Sequence, residues 1–131
     1  RNLFLIFIVS ITPLIAQSTL AEEAGYILAM ETTFLVMSHL STQDQYYGHF
    51  AVGSFDAFMA YSGFLQAMAR FEEVPQYKWM FLVASGFLLK ALYNFQSVRV
   101  TDKNKLMLIN FLAYNLLVFS GYAITENYGN E

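Results

Sequence analysis

The sequence contains no cysteine. That excludes disulfide frameworks, thiol chemistry, cysteine-ligated metals and iron–sulfur clusters. Charge is scarce too: charged residues make up 13% of the chain, against about 25% in an ordinary soluble domain. A basic excess is also missing. Seven Lys and Arg stand against ten Asp and Glu, for a net charge of −3, so there is no electrostatic footprint for nucleic acid. Only two prolines fall in 131 residues, leaving few points where a long helix must break. No internal repeat or low-complexity tract is present.

Apolar residues are what the chain has in abundance. They make up 56% of it and the mean hydropathy is positive, which disfavours both disorder and a soluble enzyme. One domain of this length and composition reads as a small all-α integral membrane bundle of four to five transmembrane helices with short loops. A bilayer core takes about 20 apolar residues as a helix. Four stretches approach that length: Ala24 to Leu40, Phe50 to Ala69, Tyr77 to Phe95 and Leu106 to Ile124. The breaks between them, STQDQYYGH, RFEEVPQ and QSVRVTDKNK, are short enough to make consecutive spans antiparallel neighbours. Pro75 sits in the second break, and Asp102 is placed to cap the last span.

Residues 2–20 hold a fifth apolar run. Arg1, then LFLIFIVSITPLIA, then QSTLAEE has the pattern of a secretory signal peptide. Pro13 would kink or end a helix there. The segment is expected as a retained short or tilted span, with a signal anchor beside the bundle as the alternative.

Loop charge sets the expected orientation. With the N-terminus inside, Arg1, Arg99, Lys103 and Lys105 lie inside and only Arg70 and Lys78 outside. The C-terminus then faces out. An inner bacterial membrane or an organellar membrane fits this pattern. Tyr46, Tyr47, Tyr77, Trp79, Tyr122 and Tyr128 fall at span ends, as an interfacial aromatic belt does. Stacking on a quinone or pigment is the alternative use of so many rings.

Three ionisable residues fall within spans: Glu31, Asp56 and Lys90. Each costs about 2.5–3.5 kcal/mol on insertion scales, so each calls for a reason. Asp56 and Lys90 lie at similar depth, roughly 9 Å below the inner boundary at 1.5 Å per residue. They read as a neutralising pair joining two helices, with Lys90 snorkelling to the headgroups as the alternative. Glu31 has no basic residue at its depth and is expected to hydrogen-bond to Thr32, Thr33 or a neighbouring helix. Together the three also suit a proton, ion or small-solute pathway.

Gly53, Asp56, Ala60, Gly63 and Ala67 are spaced 3, 4, 3, 4, which puts four small residues and one carboxylate on one helical stripe. In lipid such a stripe is a packing seam. Gly25 and Ala29 suggest a shorter one. Asn110 and Asn115 lie about 140° apart around their helix and cannot face one neighbour. His39, Asp44 and His49 flank the first polar break and are metal ligands by type. Their spacing matches no metal motif, and hydrated interfacial histidines are the simpler reading. Haem ligation by the two imidazoles is the remaining option.

These features point to a non-catalytic packing or assembly subunit of a membrane complex. Its expected partners are lipid, other membrane subunits or a second copy. The competing readings are the ion pathway and a membrane redox or metal-binding protein.

Overall fold

A computed structural model describes residues 20–43, 47–96 and 102–128. Among these the secondary structure is entirely helical: α1 (Leu20–Leu40), α2 (Gly48–Arg70), a 3-10 turn (Pro75–Lys78), α3 (Trp79–Gln96) and α4 (Lys103–Tyr128). Each of the four apolar stretches falls on one helix, except that its first two residues, Tyr77 and Lys78, put the third stretch's start in the 3-10 turn. Residues 2–19 of the expected first span, and with them Asp44, Tyr46 and Arg99, lie outside the described residues, and Leu20 opens α1.

Local chemistry sets the helix ends. Glu22 and Glu23 place negative charge in the first turn of α1, against the positive end of its dipole. The turn into α2 is tight. The Gly48 N–H donates to the Gln43 carbonyl at 2.7 Å, and a Cβ on Gly48 would strike the Leu40 carbonyl oxygen. Tyr47 precedes it in the left-handed region, at φ 52°. Asp102 caps α4, its Oδ1 accepting from the Lys105 backbone N–H at 3.0 Å.

Pro75 opens the 3-10 turn, whose fixed φ suits that position. The turn folds Tyr77 back onto α2, where its hydroxyl donates to Gln66 Oε1 at 3.4 Å. Tyr77 is therefore buried rather than part of an aromatic belt. Tyr47 and Trp79 are exposed, and Tyr122 and Tyr128 are partly buried.

α2 and α3 form an antiparallel hairpin in close contact along their length. α4 packs against both α3 and α1. Small residues permit the α2–α3 approach. A Cβ on Gly63 would lie 3.0 Å from that of Ala84, and one on Gly53 would lie 2.8 Å from the Phe95 ring. Ala60 and Ala67 are buried on the same side. The Gly25–Ala29 pair differs. α1 turns Met30, Phe34 and Ser38 inward, so Gly25 and Ala29 point outward, and nothing lies within 4 Å of a Cβ built on Gly25.

The interior is mainly apolar, with a polar cluster set within it. The buried polar and charged residues are Ser38, Ser41, Asp56, Ser62, Gln66, Lys90, Asn94 and Asn110. The outer surface carries Leu28, Leu35, Phe50, Phe58, Leu65, Leu82, Leu89, Leu92, Leu108, Leu112 and Leu116, all exposed. Among the described residues one helix, α4, is long and apolar enough to cross a membrane.

Candidate functional site

The most distinctive chemistry lies where all four helices meet. Asp56 from α2 is fully buried and accepts three hydrogen bonds. Lys90 Nζ and Asn94 Nδ2, both from α3, reach its Oδ2 at 2.7 and 2.9 Å. The Tyr114 hydroxyl of α4 donates to its Oδ1 at 2.8 Å. Lys90 and Asn94 are four residues apart, so one face of α3 presents both. Asn110 and Tyr114 stand in the same relation on α4.

Lys90 has a second stabilising contact. Its ammonium sits 3.4 Å from the centroid of the Tyr114 ring, where the π face attracts a cation. That ring stacks on Phe34 of α1, with centroids 5.6 Å apart and planes within 10°. Tyr114 thus joins α1 through its face and α2 through its hydroxyl.

The network continues toward the α1–α2 turn. Asn94 Nδ2 donates to Asn110 Oδ1 at 2.8 Å. Asn110 Nδ2 donates to Ser41 Oγ at 3.1 Å, and Ser41 donates to the Ser38 carbonyl at 2.6 Å. Each asparagine also donates to the carbonyl four residues earlier, Lys90 and Leu106 respectively. Charge is balanced within this unit, and its two charged groups are paired across helices, which is what burial of a charge requires.

A smaller polar group lies toward the other end of the α2–α3 hairpin. Gln66 Nε2 donates to Ser62 Oγ at 3.5 Å and Gln66 accepts from Tyr77. The Arg70 guanidinium stands 5.4 Å from the Tyr77 ring. It is a tie between α2 and the 3-10 turn.

The remaining candidate residues are placed apart. Glu31 is half-buried on α1. Thr32 and Thr33 do not meet it; their hydroxyls donate to the Leu28 and Ala29 carbonyls. No described residue pairs with its carboxyl. His39 is exposed, and Gln43 Nε2 donates to its Nε2 at 3.3 Å. His49 Nδ1 is buried without a hydrogen-bond partner among the described residues. No group of three His, Asp or Glu side chains able to hold a metal forms among the described residues; Asp44 lies outside them. Asn115 is only partly buried and donates to the Phe111 carbonyl at 3.0 Å.

A groove of about 310 Å³ opens at the far end of the bundle, lined by Glu73, Val74, Pro75, Gln76, Asn127 and Tyr128. It is shallow and touches none of the network residues. No family model matches the chain, and neither a curated protein nor a solved structure matches it.

Proposed function

We propose that this chain is an integral membrane bundle of four to five helices, acting as a non-catalytic packing and assembly subunit of a larger membrane complex. The observation that carries the reading is a charged and amide cluster set inside an apolar core, together with an apolar outer surface. Charged and amide side chains are buried at the helix junction while leucine and phenylalanine cover the outside. Water would penalise such a surface, because exposed apolar patches of that extent drive association. Hydrocarbon favours it, since polar groups in lipid face the bundle interior and pair with one another.

The buried polar cluster accounts for why α2 and α3 fall short of a span by apolarity alone; α1 falls short as well, through Glu22, Glu23 and Glu31, which are not fully buried. Asp56, Ser62 and Gln66 lower the hydropathy of α2, and Lys90 and Asn94 that of α3. All five are buried, so none of them would face lipid. The proposed orientation keeps the N-terminus and the Lys103–Lys105 end of α4 inside, and the Pro75 turn and C-terminus outside. The host is an inner bacterial or organellar membrane.

Assembly is favoured over an ion pathway by the chemistry of the network. Two amides, Asn94 and Asn110, stand between Asp56 and Ser41. An amide nitrogen donates a hydrogen bond but does not take up and pass on a proton. Asp56 and Lys90 neutralise each other and make contacts that bind helices together. Asp56, Lys90, Gly53, Ala60, Gly63 and Ala67 are accordingly the residues that hold the fold. Purification in mild detergent tests the reading. Stoichiometric co-purifying membrane proteins are expected. A preparation without partners that carries pH-dependent ion flux in vesicles would favour the pathway instead, and a visible absorbance band or bound metal the redox reading.

A further inference from the structure

Both charges of the buried network belong to the α2–α3 hairpin. Among the described residues the buried charged side chains are Asp56 of α2 and Lys90 of α3, bonded at 2.7 Å. Asn94 of α3 adds a second bond to the same carboxylate, and Tyr77, in the turn between the two helices, donates to Gln66 of α2. The rest of the bundle brings uncharged groups to the network: the Tyr114 hydroxyl and Asn110 amide of α4, and the Ser41 hydroxyl. The hairpin therefore neutralises its own charge without α1 or α4. The close approach of Gly63 to Ala84 is internal to it as well. Taken singly, its helices are poor spans. Neither is apolar enough to cross a membrane by composition, whereas α4 is. An unpaired charge at span depth lowers insertion of either helix roughly a hundredfold.

We infer that α2 and α3 enter the bilayer as one unit, and that the Asp56–Lys90 bond is the latch deciding on which side the Pro75 turn ends. The inference rests on the membrane reading above. Pairing precedes crossing, because the transfer cost falls on unpaired charges and is partly offset in the pair. A hairpin makes two crossings, so its entry or failure leaves the side of every other segment unchanged. With the latch closed, the Pro75 turn lies outside. With it open, α2, the turn and α3 stay together on the inner side, while α4 still crosses from the inside outward. The chain thus has two topologies that differ only in the hairpin, and one ion pair selects between them.

Charge exchange in the full chain tests this. The sequence has no cysteine, so Gln76→Cys reports the turn and Asn127→Cys the end of α4. A membrane-impermeant maleimide, applied to intact and to opened membranes shortly after synthesis, gives the ratio of outer to inner labelling. Lys90→Asp and Asp56→Lys each keep one charge at depth on each helix but set like charges against each other. In either variant the Gln76→Cys ratio should fall about a hundredfold, while Asn127→Cys stays outside. The two exchanges combined restore opposite charges and should recover at least tenfold of that loss, although each helix is as polar as in the single variants. The readout is the side on which one residue lies, so it does not depend on a stable native fold. Outer labelling of Gln76→Cys in both like-charge variants would overturn the latch. So would a combined exchange that labels like the single ones, because charge would then count helix by helix. Asn127→Cys moving inside together with Gln76→Cys would overturn the hairpin as a separate unit. Alkaline carbonate extraction of the unexchanged chain keeps the two claims apart: release into solution overturns the membrane reading, and retention leaves the latch to be decided by labelling.

Discussion

Lys90 Nζ lies 2.7 Å from Asp56 Oδ2, with both side chains closed off from the surface. Removing one partner strands the other charge among apolar helices. For a buried pair that costs about 3–5 kcal/mol. Asp56→Asn and Lys90→Met should each lower thermal stability in detergent by that order, and the double substitution should recover part of the loss. The double-mutant cycle should give a coupling of about 0.5–3 kcal/mol. Coupling near zero would mean the pair does not hold the helices together. Activity of the host complex in the folded double variant separates the functional readings: it returns with assembly for a packing subunit and stays lost for an ion pathway.

The α2–α3 seam makes an independent prediction. A Cβ on Gly63 already comes within 3.0 Å of the Ala84 Cβ, so Gly63→Leu must push the helices apart. Overpacking of this kind costs about 1–3 kcal/mol. Phe58→Trp adds bulk on the same helix at a half-exposed site and should leave the melting temperature nearly unchanged. Equal effects of the two substitutions would contradict the seam.

Asn110 should matter less than Asp56. In Asn110→Leu, Asn94 keeps its bonds to Asp56 and the Lys90 carbonyl, and Ser41 keeps its bond to Ser38. Interhelical hydrogen bonds in membranes contribute about 0.6 kcal/mol on average, so the loss should be of order 1 kcal/mol. Thermal denaturation of the two single variants side by side checks the ranking. A larger loss in Asn110→Leu than in Asp56→Asn would show that the amides, rather than the ion pair, hold the junction.

The sequence made the all-helical class legible because apolar stretches of span length alternate with short polar breaks. Part of the network was legible too. Asp56 stood out as a carboxylate on a stripe of small residues, and Lys90 as a charge at equal depth. Asn94, Tyr114 and Ser41 did not stand out, because uncharged polar residues carry no comparable insertion cost. The available signal was the i, i+4 spacing of Lys90 with Asn94 and of Asn110 with Tyr114, which stacks each pair on one face. Tyr77 was misread for a different reason. Its position at a span end suggested the interface, but the Pro75 turn folds it onto Gln66. The Gly25–Ala29 pair has seam spacing, yet both residues are exposed and nothing lies within 4 Å of a Cβ built on Gly25, since spacing identifies a face without identifying what covers it.

The left-handed Tyr47 offers a local check on the α1–α2 turn. A non-glycine residue in that region costs about 1 kcal/mol, and the Tyr47 side chain is 71% exposed, so little packing is lost by its removal. Tyr47→Gly should raise the melting temperature. A fall would show that the ring anchors the turn more strongly than the backbone strain opposes it.

The central claim is that the bundle lies in a bilayer with its leucine surface facing lipid. Single cysteines at Leu89, Leu112, Gln76 and Asn104, in a chain that otherwise has none, test it most directly when treated with a membrane-impermeant maleimide. In intact membranes the Leu89→Cys and Leu112→Cys proteins should resist labelling, although both positions are exposed on the isolated chain. Gln76→Cys should label from the outer side and Asn104→Cys only after the inner side is opened. Labelling of Leu89→Cys and Leu112→Cys as fast as Gln76→Cys would contradict the account.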